Sequence, residues 1–258
     1  MNILEKHLNE LKAKGETIIV PYIMAGDHSK GLNGLGDTIS FLQESGVSAV
    51  EIGIPFSDPV ADGEVIQKAG LRALARDISL IDVVKKLQKV KAKIPLVIMS
   101  YFNPIYNIGV EKFIAELKDT DVKGLIIPDL PFEHRDLVEP FLEGTEISLL
   151  RLLSLTTTRE RQKTLLDGAQ GFIYAVALNG ITGMGREYRD DIYGHLKYMT
   201  DESKIPVLAG FGVSSVEHVQ KFREVCDGVI VGSFIVNALH SGEKEKVADF
   251  IKKSKEIK

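Results

Sequence analysis

Short apolar runs alternate with longer amphipathic segments along almost the whole chain. Each run is rich in β-branched residues and leads into a turn rich in Gly, Pro, Asp or Asn, after which the apolar spacing becomes helical. This alternation is typical of parallel strands joined by helices. The pattern predicts eight strands, at Thr17–Ile23, Ala49–Ile52, Leu96–Met99, Gly124–Ile127, Ile147–Leu150, Gly171–Ala175, Val207–Ala209 and Gly228–Val231.

Eight alternating units favour a closed α/β barrel, the (β/α)8 TIM barrel, over a doubly wound open sheet. An open sheet often carries G-x-G-x-x-G after its first strand, and the turn here begins Ala25–Asp27 without that motif. An amphipathic helix at Met1–Lys14 and an extra helix around Gly63–Ala75 are added to the barrel, and no linker divides the predicted single domain over residues 1–258. Helices are predicted after most strands, for example Gly34–Glu44, Leu80–Val90, Val110–Leu117, Arg159–Leu166, Val216–Arg223 and Phe234–Leu239.

The composition is that of an ordinary globular protein and narrows the function classes. Hydrophobic residues make up 44% of the chain, and 32 Lys+Arg stand against 36 Asp+Glu, without a basic stretch that would follow a phosphate backbone. We therefore expect no nucleic-acid partner. The apolar runs are far shorter than the ~20 residues of a membrane span, and with no signal-peptide core and a single cysteine we expect a cytoplasmic protein. Cys226 is expected to be a buried structural thiol, and the six histidines form no metal-ligand motif.

Two carboxylates near the second strand are the first candidates for chemistry. In a barrel, catalytic groups collect at the carboxyl ends of the strands. Glu51 lies between apolar Val50 and Ile52, so alternation directs its side chain into the barrel, where desolvation would raise its pKa toward neutrality. A structural carboxyl bound to backbone amides or a cation is the alternative. Asp62 either returns over the barrel mouth or caps the helix after Gly63.

Three glycine-bearing turns follow the last three strands and indicate a phosphate site. Backbone amides in such turns, with a helix beginning at Ser233, bind anions, and many barrels hold a substrate phosphate after strands seven and eight. Each turn alone would be explained by loop shape or helix capping. The turns are Gly180–Gly183, Gly210–Ser214 and Gly232–Phe234.

Residues 51–63 read E-I-G-I-P-F-S-D-P-V-A-D-G, and this stretch resembles the signature of tryptophan synthase α chains. The resemblance covers nearly the whole chain, since further family motifs follow in order. They are Val20–Tyr22, Ala25–Asp27, Met99–Pro104, Ile127–Pro131, Gly180–Gly183 and Gly210–Gly212.

The resemblance implies a lyase that splits indole-3-glycerol phosphate into indole and glyceraldehyde 3-phosphate. Glu51 matches the glutamate that protonates indole C3 and helps to remove the side-chain hydroxyl proton. Asp62 matches the aspartate that accepts a hydrogen bond from indole N1–H. Tyr22, Met99 and Ile126 match the apolar walls around the indole, Tyr174 a supporting tyrosine beside the glutamate, and Thr182 a loop threonine that orients the aspartate. The phosphate-binding positions match Gly183, Phe211, Gly212, Gly232 and Ser233.

The resemblance also implies a partner. Family members pass indole through a tunnel to a β subunit, in an α2β2 heterotetramer, and pyridoxal phosphate belongs to that β subunit, so no cofactor is expected in this chain. Asp58 and Pro59, with the segment Asn103–Gly109 that includes Pro104, match the partner-facing loops.

The sequence departs from the family pattern at Ala177–Gly180, before the segment Gly183–Arg186 that reads as a flexible lid. Three other functions remain open at this point. A phosphosugar isomerase or epimerase would share the anion site but lacks the motif from Glu51 to Asp62. A freestanding indole-3-glycerol phosphate lyase would keep the chemistry and need no partner. A non-catalytic binding subunit is disfavoured because both carboxylates are present.

Overall fold

The computed structural model describes residues 2–176 and 186–256, and within them all neighbouring strands of one nine-segment sheet are parallel. The strands are β1 Ile18–Met24, β2 Val50–Gly53, β3 Leu96–Met99, β4 Val122–Ile126, β5 Ser148–Leu149, β6 Arg151–Ser154, β7 Ile173–Val176, β8 Val207–Ala209 and β9 Gly228–Val231.

The sheet closes on itself and forms a barrel. Its pairing order runs β5-β4-β3-β2-β1-β9-β8-β7-β6, and the two end segments are separated only by Leu150, whose N–H donates to the carbonyl of Leu125 at 2.9 Å. The predicted fifth strand, Ile147–Leu150, is therefore too short. The extended segment continues to Ser154, and its pairing partner changes at Leu150 from β4 to β7. The predicted TIM barrel is confirmed, with its fifth strand in two pieces.

Helices surround this ring. The six predicted as examples are present with ends within three residues, and the extra helix is present at Glu64–Leu74. Within the described ranges the helices are α1 Ile3–Ala13, α2 Leu35–Glu44, α3 Glu64–Leu74, α4 Leu80–Leu87, α5 Phe102–Ile108, α6 Val110–Leu117, α7 Glu139–Leu142, α8 Arg159–Leu166, α9 Arg186–Glu202, α10 Val216–Arg223, α11 Ser233–His240 and α12 Lys244–Lys255, with 3-10 helices at Gly31–Gly34 and Phe132–Leu137.

The core has two parts because most of the strands are buried on both faces. Alternate residues such as Ile52 and Ile98 pack outward against the helices, whereas Val97 and Leu208 pack inside the barrel. The predicted N-terminal helix closes the amino end of the barrel with fully buried Leu4 and Leu8. A closed amino end leaves the carboxyl end, where the strand-to-helix turns lie, as the place for a ligand.

Cys226 is 4% exposed, and burial raises the pKa of its thiol to about 12. It is a buried structural thiol, as predicted. Among the described residues, no helix has the length and apolar character needed to cross a membrane.

Candidate active site

Glu51 lies inside the barrel, as its alternation with Val50 and Ile52 predicts. It pairs with Tyr22 of β1 on one side and Val97 of β3 on the other, and both of these belong to the inner core. The side chain is 1% exposed, and its Oε2 has no hydrogen-bond partner among the described residues. Burial, reinforced by the charge of Asp62, raises the pKa of Glu51 to about 8. At neutral pH the group is therefore a protonated acid, and the described residues leave its Oε2 without a partner.

Asp62 belongs to the long turn between β2 and α3. The helix is capped by the extended Gly63 without a side-chain hydrogen bond, so the alternative that Asp62 caps α3 is wrong. Burial raises the pKa of Asp62 to about 6, and a hydrogen bond from the Tyr101 hydroxyl opposes this rise. At neutral pH Asp62 is mostly ionised while Glu51 holds its proton. Separated pKa values of this kind are what distinct acid and base roles require.

Tyr101 holds the turn that carries Asp62. Its hydroxyl accepts a hydrogen bond from the Ala61 N–H at 2.9 Å and donates to the Asp62 carboxylate. Its ring stacks on Phe56 with centroids 5.1 Å apart, and the Ile54 N–H donates to the carbonyl of Met99 at 2.9 Å. The turn after β2 is thus fastened to the end of β3.

Two tyrosines complete the titratable cluster. Tyr22 belongs to the inner core, and Tyr174 packs against it. Burial raises the pKa of each phenol well above its usual value, and the charges of Glu51 and Asp62 raise it further. Both phenols therefore remain neutral donors beside the two carboxyls.

The predicted apolar wall lies one layer of residues closer to the carboxyl ends of the strands than Glu51 does. Gly53, Met99 and Ile126 are aligned across β2, β3 and β4, and both side chains of this layer are in the inner core at 9% and 1% exposure. An apolar wall next to a protonated carboxyl suits a flat aromatic ligand. The family resemblance assigns Tyr22 to the same wall. Its side chain also carries a polar hydroxyl, to which that assignment gives no role.

Four of the five predicted phosphate positions lie at the ends of β8 and β9, which are neighbours in the sheet: Phe211, Gly212, Gly232 and Ser233. Helix α11 begins at Ser233, and its first internal hydrogen bond runs from the Val236 N–H to the carbonyl of Gly232. The preceding amides therefore point out of the helix end, which is a favourable position for an anion. Gly212 adopts a positive φ of 64°. The ring of Phe211 packs edge-on against Phe222 at 5.2 Å, so this residue offers its backbone to the site.

Thr182, Gly183 and the lid segment Gly183–Arg186 lie wholly or partly outside the described residues, as does the departure at Ala177–Gly180.

Of the residues predicted to face a partner, Asp58 and Asn103 are exposed, whereas Pro59 and Pro104 are half-buried. Asp58 lies in the turn after β2, beside Val60, which is 85% exposed. Asn103 and Pro104 lie in α5, so the expectation of a loop at Asn103–Gly109 is wrong for this segment. The Phe102 N–H at the first turn donates to the Asp129 carboxylate at 2.8 Å, and this cap stabilises a short helix whose proline occupies the first turn, where no internal N–H bond is lost.

Two cavities in the described part of the chain are lined by residues other than Glu51 and Asp62, and the one of about 450 Å³ has Asp129, Arg135 and Arg151 in its lining. The other cavity, of about 270 Å³, is lined by Asp27, Arg72, Arg76 and Lys244 among others, and its Arg72 is paired with Asp27 at 2.5 Å. Within residues 2–176 and 186–256, no group of three or more His, Cys, Asp or Glu is arranged to hold a metal.

The sequence indicated both carboxylates, but it did not single out Tyr101 as a site residue. The residue stands in the Met99–Pro104 motif, and its position just after an apolar strand was the available signal. Its hydrogen bonds join residues 40 positions apart, a relationship that linear spacing does not reveal.

Comparisons with known proteins agree with this geometry. The sequence model of the family described as tryptophan synthase alpha chain matches residues 8–258. The chain is 59% identical over 251 residues to the tryptophan synthase alpha chain of Streptococcus pneumoniae (strain JJA), which covers 97% of this chain and 96% of the relative. It is 56% identical over 248 residues to that of Streptococcus mutans serotype c, covering 96% and 95%. Among solved structures, the tryptophan synthase subunit alpha of Legionella pneumophila str. Paris superposes with a TM-score of 0.88 at 30% identity, covering 100% of this chain and 98% of that one.

Proposed function

The chain belongs to the tryptophan synthase alpha chain family, which makes it a lyase-type enzyme of tryptophan biosynthesis, and on that premise we propose that it cleaves indole-3-glycerol phosphate to indole and glyceraldehyde 3-phosphate within one barrel domain. The observation that carries this proposal is the Glu51 carboxyl, which is buried inside the barrel, has no hydrogen-bond partner for its Oε2 among the described residues, and interacts electrostatically with Asp62.

Cleavage of the carbon–carbon bond requires an acid first. Indole C3 is a poor leaving group until it is protonated, and the Glu51 carboxyl supplies this proton, which leaves a carboxylate and a cationic ring. The same carboxylate then accepts the proton of the hydroxyl on the adjacent side-chain carbon. The O–H electrons form the aldehyde C=O, and the electrons of the breaking bond return to the ring and neutralise it. Proton and electrons balance without water or an oxidant.

Asp62 stabilises the cationic ring. An ionised carboxylate that accepts the hydrogen bond of indole N1–H lowers the energy of the positive charge that protonation creates. The hydrogen bond from Tyr101 keeps Asp62 oriented and opposes its protonation. Met99 and Ile126 supply the apolar contact for the ring.

The phosphate is held at the opposite side of the site. Gly232 and Ser233 at the start of α11, with Phe211 and Gly212 after β8, bind it through backbone amides. The family resemblance adds Gly183 to this phosphate site and gives Thr182 the role of orienting Asp62. This chemistry needs acid, base and electrostatic groups of the chain alone, so we propose that it works without a cofactor and that pyridoxal phosphate belongs to the β partner.

We further propose that a tryptophan synthase β subunit receives the indole in an α2β2 assembly. The turn with Asp58 and Pro59 and the helix with Asn103 and Pro104 form its contact surface. The exposure of Val60 at 85% and of Tyr106 at 69% supports this, because large apolar side chains at these positions favour a covered surface. Tyr101 ties both segments to the site, since its hydroxyl contacts Ala61 and Asp62.

The reaction is tested by incubating the purified chain with indole-3-glycerol phosphate and measuring indole and glyceraldehyde 3-phosphate, with and without a β subunit. We expect equal amounts of both products from the wild type, none from Glu51→Gln, and wild-type rates from Glu111→Gln, which makes the same change at an exposed position of α6. No indole under either condition would overturn the reaction. High release that the β subunit does not increase would favour the freestanding lyase.

A further inference from the structure

Tyr22 ends in a buried hydroxyl that the fold does not use. The side chain is 5% exposed, and the hydroxyl oxygen has no hydrogen-bond partner among the described residues. A buried hydroxyl without a partner destabilises the fold, since it loses its hydrogen bonds to water. A phenylalanine would fill the same volume without this cost. The hydroxyl therefore has a use that the ligand-free protein does not reveal.

The side chain of Tyr22 extends from the phosphate side of the site, at Gly232, to the side of the carboxyls, at Gly53. At one end, its Cβ lies 3.9 Å from the place where a β-carbon of Gly232 would stand, beside the start of α11. At the other end, its hydroxyl oxygen lies 1.8 Å from the corresponding point of Gly53, two residues beyond Glu51 on the same strand face. The absence of a side chain at Gly53 is what admits the phenol.

The charges around the hydroxyl define what it can do. Asp62, then Glu51, add to burial in raising the pKa of Tyr22, so the phenol remains protonated and offers a donor. Neither carboxyl accepts a hydrogen bond from the Tyr22 hydroxyl. A ligand that brings an acceptor to this point would complete the hydrogen bonding of the hydroxyl.

On the proposed function, which this step deepens, the substrate carries two hydroxyl oxygens between its indole and its phosphate, and the one next to indole C3 is the one that the reaction places at Glu51. The indole ring carries only a donor, at N1, and the phosphate is bound at the helix end beside Gly232. The part that extends between them is the hydroxylated carbon chain. Its first carbon, next to indole C3, carries the hydroxyl that Glu51 deprotonates.

We propose that Tyr22 is a further catalytic residue, whose hydroxyl donates a hydrogen bond to the side-chain oxygen that becomes the aldehyde oxygen of the product. As Glu51 takes the proton from this oxygen, negative charge develops on it before the C=O bond is complete. A neutral donor fixed at that point stabilises this charge, in the manner of an oxyanion hole. The donor keeps its own proton throughout, so the balance of the reaction is unchanged.

The test is Tyr22→Phe in the full-length chain, which removes only the oxygen. We expect kcat for cleavage to fall about 10- to 100-fold. A second measurement uses 3-(indol-3-yl)propyl phosphate, a substrate analogue without the two hydroxyls, and we expect the variant to bind it as tightly as the wild type does. The matched control is Tyr198→Phe, whose ring lies under Arg159 on the outer helix α9 and which should change neither quantity.

Each outcome decides the matter. Wild-type cleavage by Tyr22→Phe would overturn the role of the hydroxyl and leave the proposed reaction intact. A fall in kcat accompanied by an equal loss of affinity for the analogue would also overturn it, because the substitution would then have altered the pocket itself. Failure of the wild type to release indole would overturn the reaction and this role together.

Discussion

A β-carbon on Gly210 would lie 2.0 Å from Cε1 of Tyr174. The ring of this tyrosine therefore occupies the space that any other residue at position 210 would need. Tyr174 lies beside Glu51, whose charge is the first to raise the pKa of its phenol after burial. Gly210, just after β8, thus leaves the space that the side chain of Tyr174 on β7 occupies.

Gly210→Ala should displace Tyr174 and impair cleavage. Overpacking of a buried site costs about 1–3 kcal/mol, and a shift of reacting groups by about 1 Å can reduce the rate roughly 100-fold. We expect indole release to fall about 10- to 100-fold, measured as kcat/KM. Gly194→Ala is the control, since a β-carbon there meets nothing within 4 Å. Undiminished cleavage by Gly210→Ala would show that the position of Tyr174 is unimportant.

Tyr101→Phe should change the titration of Asp62. The hydroxyl lowers the pKa of Asp62 against the effect of burial, so its removal raises that pKa and moves the acidic limb of the pH–rate profile to higher pH. Loss of a hydrogen bond to a charged group predicts a decrease of about 10- to 100-fold in kcat/KM. Tyr106→Phe, on the exposed face of α5, should leave the limb of the isolated chain in place. An unmoved limb in Tyr101→Phe would contradict the role given to this hydroxyl.

Most of the fold could be predicted from the sequence, because strands buried on both faces appear as continuous apolar runs. The exception was the fifth strand, where the turn at Leu150 is set by pairing with β4 and β7. Nothing in the local residue pattern marks such a change of neighbour. Segment 103–109 was expected as a loop, but most of it belongs to the helix α5, whose first turn is capped by the carboxylate of Asp129, distant in sequence.

The site was predictable where strand alternation decides it and obscure where distant turns meet. Alternation alone directed Glu51 inward, whereas the role of Asp62 in the site came from family resemblance, since the spacing by itself favoured a helix cap. The hydrogen bonds of Tyr101 and the unpartnered hydroxyl of Tyr22 depend on contacts across strands. Their residue types were visible, but their chemical roles were not.

Glu51→Gln should stabilise the fold increasingly at high pH. Burial raises the pKa of Glu51 from 4.5 to about 8, so the folded protein keeps a proton that the unfolded chain has lost. Stability of the wild type therefore decreases as pH rises through this window. The neutral glutamine avoids this loss, and we expect a gain of roughly a few kcal/mol above pH 8 and little change near pH 4.5, measured by urea unfolding. A gain independent of pH would contradict the raised pKa.

Tyr106→Ala should weaken the complex with the β subunit. Truncation of an exposed aromatic anchor at an interface costs about 1–2 kcal/mol, or roughly tenfold or more in Kd, measured by calorimetric titration of the two subunits. Cleavage by the isolated chain should not change. Ile3→Ala, at 43% exposure on the helix that closes the opposite end of the barrel, is the control for affinity. Equal affinity of Tyr106→Ala and the wild type would place the interface elsewhere.

The central claim is that Glu51 acts as the acid while Asp62 is ionised, and the pH dependence of kcat/KM for indole release tests it most directly. We predict a bell-shaped profile, with activity lost below about pH 6 as Asp62 takes up a proton and above about pH 8 as Glu51 loses one. Because the substrate phosphate also titrates near pH ~6, the measurement includes Asp62→Asn, whose residual activity should lack the acidic limb. A profile without the alkaline limb near pH 8, or an acidic limb that persists in Asp62→Asn, would contradict the roles assigned to these two carboxyls.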